Sequence, residues 1–230
     1  MQAFIDWLNQ LQLGMVWDYA VIIAASMLCI MFHEVSHGVV ALKLGDPTAW
    51  DAGRLTFNPI KHVDIWGLLM MAIFRFGWAK PVPIDMRNFK HPVRDMAITA
   101  AAGPVSNVIL AFLALCIRAG AIYVNQKTGG VISGFIITFT EYTAILSVGL
   151  AVFNVIPIPP LDGSKVLNSL LPQNVYYKIL RYERYGFLVM MLVLYTGILD
   201  TPLDFCRNAL LSGLGTISAF PYYILRGIFG

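Results

Sequence analysis

Residues 19–44 read YAVIIAASMLCIMFHEVSHGVVALKL, an apolar run interrupted by His33, Glu34, Ser36 and His37. As a helix the run is long enough to cross roughly 30 Å of hydrocarbon, so it carries two imidazoles and a carboxylate into a region where lipid is the solvent. Such groups cost several kcal/mol unless paired or coordinated, and they are read first as functional. The same residues match HExxH. At about 3.6 residues per turn His33 and His37 stand about 40° apart on one face, spaced to share a metal, with Glu34 beside them. A metal held by a few protein ligands keeps a position open for water and lowers the pKa of that water, and a nearby carboxylate can take the proton. HExxH fixes only three positions and arises by chance in soluble proteins. Inside a bilayer helix the chance reading carries the full desolvation penalty.

The rest of the chain agrees with a membrane setting. Of 230 residues, 58% are hydrophobic and 13% charged, whereas a soluble domain of this size is about a quarter charged. Runs at 97–124, 134–156 and 203–225 are also long enough to span, and 185–199 is a shorter, marginal crossing beside Asp200-Thr201-Pro202. The expected fold is an all-α polytopic membrane protein of five transmembrane helices. It forms a single domain over 1–230, with a core at 19–172, an insert at 45–96 and C-terminal helices at 185–225. The first eighteen residues hold no Lys or Arg, so the first helix is expected to serve as the targeting signal. A net charge of +3 spread between apolar runs offers no footprint for nucleic acid. Cys29, Cys116 and Cys206 form no CxxC pair and read as packing residues.

The insert breaks the helical pattern with Gly, Pro, Asp and Asn. Residues 53–57 and 78–84 read as short β-like runs, expected to form a hairpin, with Pro81 and Pro83 restricting the second to an edge strand or extended loop. Between them, 65–76 is too short to cross and is expected to be re-entrant or interfacial. Arg54, Lys61, Arg75, Lys80, Arg87, Lys90 and Arg94 then fall on one side with Lys165, Lys178, Arg181 and Arg184. The positive-inside rule makes that side the cytoplasm, with the N-terminus outside and the site opening inward.

A third metal ligand has to come from elsewhere. Residues 154–163 read NVIPIPPLDG; the prolines must end or unwind the preceding helix, leaving Asp162 at or near membrane depth. A carboxylate oxygen is an acceptable zinc ligand. Asp162 could instead cap the helix that follows, and His62, Asp64 and Asp51 are rival ligands, though they sit in the broken loop and look like turn or surface residues.

Taken together, these elements resemble the site-2 proteases, intramembrane zinc metalloproteases. The resemblance rests on HEVSH at 33–37, GDPTA at 45–49, GRLTFNP at 53–59, AKPVP at 79–83, AGPVSN at 102–107 and the 154–163 run, and it extends over about 30–170. HExxH and NxxPxPxLDG are far more specific together than apart. The resemblance implies one zinc per chain bound by His33, His37 and Asp162, with Glu34 as general base and Asn154 in contact with substrate near the scissile bond. It also implies a minimal member, without the PDZ or CBS modules other members carry.

Asn154 could polarise a carbonyl or hold an extended peptide, or make an interhelical hydrogen bond. Asn107, four residues after Gly103 on a face of small residues, is a candidate substrate contact or a packing residue. Tyr176, Tyr177, Tyr182 and Tyr185, with Lys178, Arg181 and Arg184, read as an interfacial belt. The expected partners are the bilayer and a transmembrane protein or peptide substrate, which must unwind and could bind by strand addition to the insert. A metal transporter or metal-binding sensor using the same residues is the rival reading. It would want several polar sites along a path, whereas here they concentrate at one locus with Glu141 as the chief exception.

Overall fold

A computed structural model of the protein describes residues 13–65, 67 and 80–229. Eight α-helices follow one another among these residues: α1 (Leu13–Lys43), α2 (Thr48–Asp51), α3 (Pro92–Thr128), α4 (Val131–Asn154), α5 (Asp162–Asn168), α6 (Gln173–Tyr195), α7 (Asp200–Ile217) and α8 (Phe220–Phe229). Single 3-10 turns occupy Pro59–Lys61 and Met86–Asn88. Helix α3 starts on Pro92, whose missing N–H costs nothing in a first turn. It stops at Gly129, where a left-handed φ of 60° lets the glycine N–H reach the Asn125 carbonyl at 2.8 Å.

Helices α1, α3 and α4 pack against one another and form the core. The α3–α4 seam is built on Ala111, Ala114, Ala144 and Val148, all buried, with leucines of α7 packed against it. Small residues let backbones approach closely, which matters where lipid gives no hydrophobic drive for helices to associate. Helix α1 presents Val21, Ala25, Cys29, His33, His37 and Ala41 to the interior, a stripe repeating every four residues. The histidines thus face neighbouring helices instead of lipid. Cys29 belongs to the same packing, its sulfur 3.0 Å from the Ser147 hydroxyl of α4. The opposite side of α3 turns Val105, Ile109, Leu113 and Ile117 outward, each about half exposed, as a lipid-facing stripe should be.

Three helical segments are long and apolar enough to cross a membrane: Trp17–Lys43, Pro92–Thr128 and Val131–Asn154. A fourth counts only if Tyr185–Tyr195 and Asp200–Phe229 are one broken span, and these meet at 87°. The expectation of five crossings is therefore reduced to three or four among the described residues. The runs at 185–199 and 203–225 are turned across one another at Gly197, whose φ of 68° ends α6.

The expected hairpin is also corrected. No strand occurs among the described residues, and the physical reason lies in where the backbone groups go. Arg54 N–H bonds back to Ala49, and Thr56 N–H to Arg54, so 53–57 turns on itself. In the second run Pro81 and Pro83 have no N–H, and the Val82 N–H between them goes to the Glu34 side chain at 2.9 Å. Trp78, Ala79 and nearly all of 65–76 lie outside the described residues.

What holds this loop is Asp46. Its fully buried carboxylate accepts from the Thr48 N–H at 3.1 Å and the Thr48 hydroxyl, from the Asp85 N–H at 2.7 Å and from Asn88 Nδ2 at 2.8 Å. Below it, Ala41 of α1 packs with Phe89 and Met96. Burial alone would raise the Asp46 carboxyl, but these donors, the Thr48 hydroxyl foremost, hold it below the ordinary carboxylate value. A depressed carboxyl stabilises fully above its unfolded value and loses that contribution as pH falls through the folded one. Asp46→Asn should therefore cost about 2 kcal/mol at neutral pH, lowering a thermal midpoint in detergent by about 4–8 °C. The gap between variant and wild type should close as the medium is acidified below the ordinary carboxylate range.

Candidate metal centre

Two helix-forming rules bring the site together. Spacing of four residues stacks His33 and His37 on the buried face of α1, their rings 4.6 Å apart and edge to face. The prolines of 154–163 end α4 at Asn154 and turn the chain back, so that α5 begins on Asp162. Gly163 permits the turn: a Cβ there would lie 2.1 Å from the Val155 carbonyl oxygen. Asp162 is buried, and its Oδ2 lies 3.0 Å from His33 Nε2 and 3.1 Å from His37 Nε2. The carboxylate meets the two imidazoles and does not cap α5, where Leu161 occupies the cap position.

The hydrogen bonds behind the rings decide what this cluster can be. His37 Nδ1 donates to the Thr99 carbonyl of α3 at 2.7 Å, so a neutral His37 presents its Nε2 lone pair to Asp162. Two acceptors 3.1 Å apart in a dry interior repel unless a proton or a cation lies between them. Ligands at the corners of a tetrahedron, about 2.0–2.1 Å from zinc, stand about 3.3 Å apart. The three donor atoms all lie within 4.8 Å of one another, and the two contacts to Asp162 are within a few tenths of an ångström of that separation. Two imidazoles and one carboxylate, with a position left open for water, are the donor set of a catalytic zinc site.

Helix α3 approaches the imidazoles closely at Gly103. A Cβ there would sit 2.4 Å from His37 Nε2 and 2.6 Å from His33 Cε1. One turn on, Asn107 is fully buried with Nδ2 3.4 Å from His33 Nδ1. Glu34, half-buried beside the histidines, accepts the Val82 N–H through Oε2. That segment is tied down twice more, by Lys80 N–H to the His62 carbonyl at 2.9 Å and by the Arg54 guanidinium to the Lys80 carbonyl at 2.7 Å. Asn154, half-buried at the end of α4, turns its Nδ2 back to the Leu150 carbonyl at 2.9 Å.

The rival ligands stay apart. His62 Nε2 bonds to the Thr56 carbonyl at 2.8 Å, Asp64 accepts from the Gly67 N–H at 3.0 Å, and Asp51 is exposed. Sequence reasoning did not find Thr99, Val82 or the steric role of Gly103. The first two act through backbone atoms, which leave no residue-type signal. The small residues of AAGP at 101–104 were the available hint for the third.

The model of peptidase family M50 matches residues 118–196. Three relatives bear the name "putative zinc metalloprotease". YwhC of Bacillus subtilis (strain 168) is 37% identical over 169 residues, 72% of this chain and 76% of its own length. Rip2 of Mycolicibacterium smegmatis is 27% identical over 192 residues, 82% of this chain and 71% of its own. MJ0611 of Methanocaldococcus jannaschii is 32% identical over 138 residues, 60% of this chain and 63% of its own. No solved structure matches the chain at a significant level.

The close approach at Gly103 has a measurable consequence. Gly→Ala inside a helix ordinarily helps by up to about 1 kcal/mol. Gly103→Ala should instead push both imidazoles off position and weaken zinc binding by roughly tenfold or more. Gly149→Ala in α4, where a Cβ meets nothing within 4 Å, should leave zinc binding unchanged. Equal zinc affinity in the two variants, measured by competition with a chelator in detergent, would contradict the crowding described.

Proposed function

The chain belongs to peptidase family M50, and from that premise we propose that it is an intramembrane zinc endopeptidase, cutting a peptide bond of a membrane protein within or at the edge of the bilayer. The observation that carries the reading is the pair of Nε2 atoms facing one Asp162 oxygen while the His37 Nδ1–H is committed to Thr99. That arrangement needs a proton or a cation between its acceptors, and two imidazoles with one carboxylate are zinc donors. Zinc held by His33, His37 and Asp162 would supply Lewis-acid activation of a water and of the scissile carbonyl.

The chain's own groups do the rest. Glu34 takes the proton of the attacking water and delivers it to the leaving amine. Its Oε2 is held by the Val82 N–H, which orients the carboxylate and leaves Oε1 for the proton. The substrate must be unwound to reach the site, because a helical carbonyl is already hydrogen-bonded. The segment 81–84, which carries prolines at 81 and 83, offers carbonyl oxygens to an added strand, and Asn154 would contact the substrate backbone near the scissile bond. The transporter reading draws no support from Glu141, whose carboxylate pairs with Arg118 at 3.2 Å instead of extending a polar path.

Orientation follows from the Lys/Arg asymmetry of the loops: N-terminus outside, the 45–96 loop and the site opening to the cytoplasm. In a cysteine-free background, Lys90→Cys should be shielded from impermeant thiol reagent added to intact cells while Asn9→Cys reacts. Labelling of Lys90→Cys from outside would invert the assignment.

Enzyme and transporter are separated by the role of Glu34. Purified protein should hold about one zinc per chain. Glu34→Gln should keep that zinc and the fold, yet lower cleavage of a reconstituted transmembrane peptide by at least about a hundredfold, the scale of a general base. Asp162→Asn should weaken zinc binding as well as rate. If wild-type proteoliposomes cut no membrane peptide but move zinc across the bilayer, the protease reading fails.

A further inference from the structure

Thr99 fixes which nitrogen of His37 carries the proton; the corresponding group behind His33 is the Asn107 side-chain amide. Asn107 has no exposed surface, its Nδ2 lies 3.4 Å from His33 Nδ1, and its Oδ1 is buried without a hydrogen-bond partner. The contact with His33 is at the long edge of what counts as a hydrogen bond. In this orientation the amide donates, which makes Nδ1 the acceptor and puts the His33 proton on Nε2, the nitrogen aimed at Asp162 and His37. A protonated Nε2 cannot be a metal ligand.

Oxygen and nitrogen of an asparagine amide are nearly indistinguishable by shape, and their assignment follows the hydrogen-bond network. A half-turn about the last side-chain bond exchanges them at no steric cost. The Asn107 oxygen then accepts the His33 Nδ1–H, and Nε2 presents its lone pair to the centre, as in His37. The position now held by the lone oxygen receives the amide nitrogen, so one unpaired group replaces another there and the count of unsatisfied atoms does not rise.

We infer that Asn107 is a positioning residue of the metal centre: its side-chain oxygen accepts the His33 Nδ1–H and so holds His33 in the tautomer and ring orientation that bind zinc. Metal-ligating histidines usually donate their outer N–H to such an acceptor, and loss of one commonly costs about 10–100-fold in metal affinity. Asn107 thereby acts through His33 and does not touch substrate, in contrast to the substrate contact expected from its place in the sequence. The inference rests on the zinc reading above and goes beyond it.

The test uses full-length protein in detergent, stripped of metal and titrated with zinc against a chromophoric chelator, and with cobalt(II) to record the ligand-field spectrum. Asn107→Leu, close in volume but without an acceptor, should bind zinc about 10–100-fold more weakly. Asn107→Asp, an acceptor with no N–H to give, should bind zinc within a few-fold of wild type and keep its cobalt spectrum. A packing role would be disturbed by the buried charge of Asn107→Asp, and a substrate contact would leave zinc affinity unmoved in both variants. The inference is overturned if Asn107→Leu matches wild type in zinc affinity, or if Asn107→Asp binds as weakly as Asn107→Leu or does not fold in the presence of zinc. Should Asn107→Leu itself fail to fold, Asn107→Asp decides alone. Failure of wild-type protein to bind either ion would instead remove the zinc reading.

Discussion

One carboxylate oxygen held between two imidazole nitrogens in a water-poor interior is the contact around which the molecule is arranged. Asp162 and an Nε2 lone pair repel unless a proton or a cation lies between them, and the penalty for leaving them unjoined grows as water is excluded. Every element that shields the cluster must therefore also orient it. Helix α1 supplies both histidines from a single stripe, α3 supplies the Thr99 carbonyl and the Asn107 amide behind them, and the turn after α4 delivers Asp162. Each approach depends on a missing side chain. Gly103 lets the α3 backbone come against the imidazoles, and Gly163 lets the Asp162 turn fold beneath the Val155 carbonyl. Replacing either glycine by any other residue would separate groups that have to lie in close contact.

The polar loop between α1 and α3 is fastened to the site and does not merely connect helices. Asp46 gathers donors from Thr48, Asp85 and Asn88, fixing the end of the segment whose Val82 N–H reaches Glu34. Gly38, on the same turn of α1 as His37, would clash through a Cβ with the Leu55 side chain and crowd Val82. The carboxylate beside the two histidines is thus oriented by a backbone amide, and that amide is held by a loop whose own anchor is a second carboxylate. A change at Asp46 should be felt at Glu34 through this chain of contacts, although Val82 and Asp85 are far from both in sequence. The C-terminal helices are built differently. Helix α6 leaves Leu188 and Leu192 each 65% accessible and touches the core at points such as Gly186, where a Cβ would lie 2.5 Å from Pro159. Lipid is the natural partner for such a surface.

The four-residue step of HEVSH determined, without any structure, that His33 and His37 share a face, because helical periodicity is local and lipid forbids most alternatives to a helix. The apolar lengths of α1, α3 and α4 were legible for the same reason. Asp162 was legible only as a candidate, since helix periodicity says nothing about a residue that lies over a hundred positions away. The hairpin does not occur among the described residues, and five crossings are not confirmed there, because local pattern underdetermines the outcome. A β-like run with prolines at alternate positions has few backbone donors, and tertiary structure gave the one between them to a side chain. An apolar run beside a glycine with positive φ can stop and turn as readily as continue. Tertiary structure alone decided the partners behind the histidines and Glu34, because the Thr99 carbonyl and the Val82 N–H are backbone groups that every non-proline residue carries, and only the packing of α1 against α3 and the loop selects which of them meets an imidazole or a carboxylate.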